Sequence, residues 1–568
     1  MTLRELLEQA VEKQPLRTAV KYKRAGEWRS LSYSALHSGI SQMAETFGEL
    51  GIVPGTDKVA LMLDNSPEWI ESYFALAGCG VAVVPVDPKL RPVEVSYILK
   101  DSESVMLLAQ KCHISMIDEI SKDLPFLRFA VIADDFNDQP RSPFNLPFYS
   151  YEKLKEKVSK RVDLSWFLDH KPESGQVASI IYTSGTMGKP KGAMLTHNNF
   201  CSDVSGSLAA IDHALNEKDD FLVVLPLFHS FSFTANLLIA IAAAGGLLFV
   251  ENLRTIGQDM KELRPTILMA VPLLCEKLFH KIDFRLQGNA VTRCMLKLGL
   301  GWVLGRQVRK GLGGRLRHMI VGGAPCPVDI IKGFKRLGIS LVEGYGLTEC
   351  SPVVSFPKLT ESRIGTIGLK LPNAEVRIAE PDEKGAGELQ VRGPMVMKGY
   401  YKNLEATRDA FDGEWLKTGD IAKMDAEGYI SICGRKKALI VNREGKNIYP
   451  EEVENAIALD TLLNDVVVVG YRVGDDPGER VGVILAPDPD LLEEQFTGDK
   501  EDPAAVESFV KERLSKQCAR LASYKHPRKI VISAEPLERT SVQKVRRCLY
   551  QRQLDEGRGK DEGMRGEG

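Results

Sequence analysis

Seven short, nearly uninterrupted apolar runs set the architecture open to this chain. "KVALMLDN", "VAVVPVD" and "VMLLAQ" come early, and "ASIIYTS", "FLVVLPL", "TILMAVP" and "HMIVGGA" follow. Each has a strand's length, and helix-length segments lie between them. A strand that is apolar on both sides has no solvent face, so it belongs inside a sheet covered by helices. The pattern predicts an α/β fold of layered β-sheets and helices, mostly parallel. With 568 residues the chain has room for more than one domain. No repeat of short fixed period is visible.

The pattern changes near Gly434. "KALIVN", the turn "REGKN" and a helix entered through "IYPEEVENAI" come next, with Pro450 suited to a first helical turn. "DVVVVGYRV" and "ERVGVILAP" are separated by the turn "GDDPG", which reads as a hairpin. The expected division is a large N-terminal core over 1–434, a small α+β unit over 435–555, and a charged, glycine-rich disordered tail over 556–568.

Lys plus Arg number 74 and Asp plus Glu 76, a net charge of −2 that argues against a dedicated nucleic-acid binder. The ten cysteines form no C-x-x-C pair and no zinc-spaced cluster, as in a reduced, cytoplasmic protein. The N-terminal "MTLRELLEQAVEKQPL" is a charged amphipathic helix rather than a secretory signal. Phe221 to Val250 carries no Asp, Glu, Lys or Arg, and by length alone it could span a bilayer. Asn236, the Gly245-Gly246 break and several alanines instead suggest a strand over 221–227, a buried helix over about 233–244 and a strand over 247–250.

Directly after one apolar run lies "YTSGTMGKPKG". Backbone amides of a glycine-rich turn can point inward together and cradle phosphate oxygens. Thr183, Ser184 and Thr186 add hydroxyls, while Lys191 and Lys189 add positive charge. The segment is no Walker A loop, because Pro190 follows Gly188-Lys189 where that pattern needs a serine or threonine. It reads as a polyphosphate clasp.

Four further stretches occur in order: "YGLTE" from Tyr345 to Glu349, "TGD" from Thr418 to Asp420, "GRKK" from Gly434, and "ERTSVQK" ending at Lys544. With the glycine-rich loop they resemble the adenylate-forming superfamily, which includes acyl-CoA ligases, firefly-type luciferases and the adenylation domains of peptide synthetases. The likeness runs from about residue 5 to 550. It implies that a carboxylate attacks the α-phosphate of ATP, that pyrophosphate leaves, and that a thiol then displaces AMP. A carboxylate is a poor electrophile and an acyl phosphate a good one, hence the detour.

The resemblance also implies roles. Thr183, Ser184, Gly185, Thr186, Gly188 and Lys191 would grip the β- and γ-phosphates. Gly323, Ala324 and Pro325 would line the adenine pocket, with Tyr345 stacked on the base and Gly346 beside it. Thr348 would contact the α-phosphate. Glu349, with Thr183, would hold Mg²⁺, a hard cation that takes oxygen ligands. Asp420 would accept the ribose hydroxyls, with Arg435 near the same sugar. Lys544 would touch the substrate carboxylate and the α-phosphate together. Lys437 would be the hinge of a mobile C-terminal domain. Met187, Gln543 and Ala438 depart from the usual pattern, which bears on rates more than on the reaction.

"LPLFHSF" places Phe228 and His229 beside the expected acyl pocket, to which the resemblance also assigns Gly322. His229 is equally readable as a packed core histidine. The uncharged stretch behind it can furnish an apolar tunnel, in which each buried CH₂ gains about 0.8 kcal/mol. Likeness to fatty acyl ligases suggests a medium- to long-chain acid. CoA is the expected acceptor, with an acyl carrier protein as the alternative. A silent acyl-nucleotide-binding regulator is the reading from another class, and Glu349, Asp420 and Lys544 stand against it.

Between Asp283 and Asp329 there is no acidic residue, while Arg285, Arg293, Lys297, Arg306, Arg309, Lys310, Arg315 and Arg317 lie there with apolar "MLKLGLGWVLG". A solvated helix face, a peripheral membrane contact and a dock for an acidic carrier protein all fit that composition. Chain length and oligomeric state are not legible.

Overall fold

The computed structural model describes residues 1–134, 146–159, 164–183, 189–359, 363–444, 446–472, 478–499, 502–539 and 545–556. Each of the seven apolar runs forms a strand: Lys58–Met62, Ala82–Pro85, Met106–Ala109, Val177–Thr183, Asp220–Val223, Ile267–Ala270 and His318–Val321. Contacts divide the chain into two compact units, Met1–Val376 with Val391–Leu416, and Arg377–Gln390 with Lys417–Gly568. The expected boundary at 434/435 falls inside the second unit, and the tail expected from 556 begins at the last residue of the helix Arg547–Glu556.

The first unit holds two large sheets. One runs in the order Gly399–Tyr400, Lys191–Thr196, Val177–Thr183, Ala82–Pro85, Lys58–Met62, Met106–Ala109, Phe129–Ile132, Phe148–Ser150. It is parallel from Val177–Thr183 onward, and antiparallel where Lys191–Thr196 joins. The other has the order Ser340–Glu343, His318–Val321, Ile267–Ala270, Asp220–Val223, Gly246–Phe249, Thr18–Arg24, Glu27–Ser32. Only its last pair is antiparallel.

A single core joins residues from both sheets. Trp69 stacks on Tyr73 at 5.2 Å between centroids, and Phe233 meets Tyr73 at 4.5 Å and Phe200 at 5.0 Å. The Tyr73 phenol shares a 2.6 Å hydrogen bond with Ser179, and the buried phenol of Tyr33 donates to the Gly245 carbonyl at 2.7 Å.

The uncharged stretch follows the expected strand–helix–strand order, but its first strand, expected to reach 227, ends at Val223 and its helix differs. Its strands are Asp220–Val223 and Gly246–Phe249, but the buried helix starts as a π-turn, Ser232–Leu238, before the α-turn Ile239–Ala242. Ser232 donates to the Leu225 carbonyl at 2.8 Å and Thr234 to the Ser351 carbonyl at 2.6 Å. Both hydroxyls bond carbonyls outside the helix, and these anchors accompany the wider turn. No helix among the described residues is long and apolar enough to cross a membrane.

In the second unit, Asp465–Tyr471 pairs antiparallel with Arg480–Ala486, which pairs parallel with Lys529–Ile532. Val453, Ile457, Val468, Val483, Val510 and Leu514 build its core with the helices Pro450–Ile457 and Pro503–Cys518. The turn expected at "GDDPG" lies mostly outside the described residues.

Candidate active site

The glycine-rich loop springs from an antiparallel pair. Val177–Thr183 leads in, Lys191–Thr196 leads out, and Thr183 stands opposite Lys191. The Thr183 hydroxyl donates to the Lys191 carbonyl at 3.5 Å. Ser184, Gly185, Thr186 and Gly188 lie outside the described residues. The exit of the loop is held from below: the Tyr97 phenol donates to the Pro190 carbonyl at 3.1 Å, and the Lys189 ammonium sits 5.7 Å from the same ring's centroid.

Lys191 turns toward Tyr400, its Nζ 5.1 Å from the ring centroid. Tyr400 lies on a two-residue strand paired with Lys191–Thr196. Its phenol donates to Glu349 Oε1 at 2.9 Å. Burial first, then the Glu349 charge, push the phenol far above its ordinary range. Glu349 and Thr348 occupy a 3₁₀ turn, Thr348–Cys350, directly after the short strand Tyr345–Gly346. Thr348 Oγ1 and Ser230 Oγ share a 3.0 Å hydrogen bond.

Ser230 carries the chain of contacts into "LPLFHSF". Half-buried His229 accepts at Nδ1 from the Phe231 amide at 3.3 Å, which reads as local turn structure, and Phe228 is also half-buried. The Phe231 ring covers Gly322, where a Cβ would lie 3.0 Å from the ring edge. Gly323 then takes φ +83°, a left-handed conformation that glycine adopts without strain, and the turn runs through Ala324 and Pro325. Loop exit, Tyr400, Glu349, Thr348, Ser230, Phe231 and Gly322 thus form one contiguous series within the first unit.

Two residues in and beside this series escaped the sequence reading. Tyr400 follows no recognisable motif, and only its pairing beside the loop reveals it. Glu343 ends the strand Ser340–Glu343 and accepts the Cys326 amide at 3.1 Å, tying the Gly322–Pro325 turn to the strand that precedes Tyr345. Burial pushes its carboxyl up to about 7, the amide bond partly offsetting that rise. A carboxylate two residues before "YGLTE" was the available signal.

The remaining candidates lie in the second unit. Asp420 and Arg435 face each other across the antiparallel pair Trp415–Met424 and Ile430–Arg435. Arg435 Nε lies 2.8 Å from Asp420 Oδ1, and the Asp420 amide bonds the Thr418 hydroxyl at 3.0 Å. Lys437 is exposed in the 3₁₀ turn Lys436–Ala438, and Lys544 lies outside the described residues.

Among the described residues no three His, Cys, Asp or Glu side chains gather into a metal-holding group. A lone carboxylate with nearby hydroxyls is a poor site for zinc. It suits Mg²⁺, which retains water and shares phosphate oxygens.

Comparison with known proteins places the chain in a family. The model of a family described as "AMP-binding enzyme" matches residues 7–401. A long-chain-fatty-acid–CoA ligase of Salmonella typhimurium is 30% identical over 90% of this chain and 87% of its own. Long-chain-fatty-acid–CoA ligase FadD15 of Mycobacterium bovis is 28% identical over 82% of this chain and 79% of its own. The crystal structure of the anthranilate CoA ligase AuaEII in complex with anthranoyl-AMP superposes with a TM-score of 0.80, at 20% identity, over 98% of each chain.

Proposed function

The chain belongs to the AMP-binding enzyme family, and on that premise we propose that it activates a medium- to long-chain fatty acid as acyl-AMP and transfers the acyl group to CoA. The observation that carries this reading is the series from Lys191 through Tyr400 and Glu349 to Thr348 and Ser230. It joins the loop's lysine, a carboxylate and a hydroxyl to the segment that opens the apolar stretch. The two ligases above, matched over most of their length, support the choice of fatty acid and of CoA.

In this reading Lys191 and Thr183, with the loop between them, draw the β- and γ-phosphates. The turn Gly323–Pro325, with Tyr345 and Gly346, receives the base. Thr348 donates to the α-phosphate, while its bond to Ser230 fixes the hydroxyl's direction. Glu349, kept in place by Tyr400, is the carboxylate for Mg²⁺, which when bound neutralises charge on departing pyrophosphate. Asp420 and Arg435 are assigned to the ribose hydroxyls. Lys544 offsets the repulsion between carboxylate and phosphate as the new P–O bond forms. The fatty acid loses no atoms in this first step: its oxygen displaces pyrophosphate. In the second step the sulfur of CoA takes the acyl carbon and AMP leaves.

We place the reaction in the cytoplasm, a reading supported by nine described cysteines that are all free thiols, six of them buried. A peripheral contact with membranes, where such acids reside, belongs to the same proposal. The test is pyrophosphate release across a series of acid lengths, with CoA or holo-acyl carrier protein as acceptor. Release driven by long acids and thioester formation on CoA are expected. Thioester formation on the carrier protein alone would replace CoA as acceptor, and absence of pyrophosphate release with every acid would refute the ligase reading.

A further inference from the structure

Three consecutive helices carry the basic stretch: Pro272–Gln287, Ala290–Lys297 and Gly301–Gly311. Their inner side is firmly seated. Leu286, Leu304 and Leu312 enter a core with Met260, Phe334 and Leu337. On the third helix a Cβ at Gly305 would lie 1.7 Å from the Leu337 carbonyl oxygen, and one at Gly301 2.7 Å from that of Arg336. Such close backbone approach fixes which side of the helix faces away.

The outward side is unusual in two respects. Phe284 is 79% exposed, Leu298 68%, Val291 67% and Trp302 56%, with Leu300 and Val303 also exposed beside them. An isolated exposed apolar side chain is ordinary, but six within twenty residues mark an interaction surface. The middle helix has no fully buried residue and is seated through partly buried Met295 and Leu296.

The second respect is charge. From Phe284 to Val328 there is no acidic residue. Arg315 and Arg317 are taken up by Asp220 and Asp219, and Arg309 donates to the Gly338 carbonyl. Arg285, Arg293, Lys297, Arg306 and Lys310 remain exposed, and none pairs with an acidic side chain among the described residues. Five exposed cations therefore share this stretch with six exposed apolar side chains, two of them aromatic.

We propose that this face docks on an anionic lipid surface. Cations there meet phosphate headgroups while Phe284, Trp302 and the aliphatic side chains enter the headgroup boundary. A second copy of the same face would set like charges together. An acidic carrier protein would satisfy the cations but gives no reason for the protruding aromatics. The proposal gains its purpose from the fatty-acid reading, since such a dock would hold the enzyme where its substrate is dissolved. Binding itself is independent of that reading and is measured without ATP or acid.

The experiment is co-sedimentation of the full chain with vesicles of equal parts phosphatidylglycerol and phosphatidylcholine, and with pure phosphatidylcholine. Binding to the mixed vesicles, weakened by salt, is expected, with little binding to the neutral ones. Arg293→Glu, Arg306→Glu and Lys310→Glu together should abolish it, since each cation near such a surface contributes about fivefold in affinity. Phe284→Ser with Trp302→Ser should weaken binding at least tenfold while leaving its salt dependence. Both variants should convert a short, water-soluble acid to its CoA thioester at the parent rate, which verifies their folding. Equal binding of the parent and both variants, or no binding to mixed vesicles, overturns the proposal. So does salt-sensitive capture of an acidic acyl carrier protein that is lost on charge reversal while vesicles are ignored.

Discussion

The Tyr400 phenol donates to Glu349 at 2.9 Å while the Lys191 ammonium sits 5.1 Å above the same ring. One side chain thus joins the glycine-rich loop to the "YGLTE" carboxylate. Because burial and the neighbouring charge hold the phenol protonated, it donates throughout the working pH range. Glu349→Gln keeps the hydrogen-bond acceptor but removes the charge, and should lower kcat/KM for adenylation about a hundredfold or more. Tyr400→Phe removes only the donor, a bond to a charged group of about 1.5–3 kcal/mol. It should raise the Mg²⁺ concentration for half-maximal rate, with a smaller loss at saturating Mg²⁺. A Tyr400→Phe enzyme with unaltered Mg²⁺ dependence would sever the link between phenol and metal carboxylate.

Lys544→Ala should abolish acyl-AMP formation and spare thioester formation from supplied acyl-AMP. The lysine's ammonium matters where two anions approach, which happens in the first half-reaction only. Pyrophosphate exchange reports the first step and CoA consumption the second. Equal losses in both would deny the division of labour.

The strands were legible because fully buried parallel strands must be apolar on both faces, and each of the seven runs, from "KVALMLDN" to "HMIVGGA", becomes one. The π-turn at Ser232–Leu238 was not, because it accompanies hydrogen bonds from Ser232 and Thr234 to carbonyls distant in sequence or across a turn. The glycine-rich loop after Thr183 announced itself by composition, and "YGLTE" with Glu349 by its resemblance to the adenylate-forming superfamily. Tyr400 did not: it reaches Glu349 only through strand pairing with Lys191–Thr196, a non-local fact. The basic stretch was visible as a run without acids, but its selection into paired cations, such as Arg315 with Asp220, and free ones needed the fold.

Asp420 and Arg435 form a pair in which the carboxylate is buried and the guanidinium half exposed. Removing Arg435 would leave a buried charge short of a partner, whereas Asp420→Asn keeps the volume and loses the charge. Asp420→Asn should raise KM for ATP about tenfold or more, the cost of a charge-assisted hydrogen bond. KM for the fatty acid should hardly move. A larger effect on the acid than on ATP would place Asp420 elsewhere in the reaction.

Glu343 makes the pH dependence of stability testable. Burial raises its carboxyl to about 7 from its ordinary value of 4.5, so the folded chain binds this proton more tightly than the unfolded one. Between those two values the folded state carries more protons, and stability must fall as pH rises; above about 7 the loss is complete and constant. Glu343→Gln retains an oxygen to accept the Cys326 amide and has no proton to lose. Its melting temperature should match the parent near the lower value and exceed it at pH 8, the gap opening across the interval. Glu343→Ala loses the acceptor too, freeing the Gly322–Pro325 turn from the strand. That variant should raise KM for ATP at every pH, while the glutamine variant should not. Parallel melting curves for parent and Glu343→Gln across the interval would mean that the carboxyl is already ionised in the folded protein.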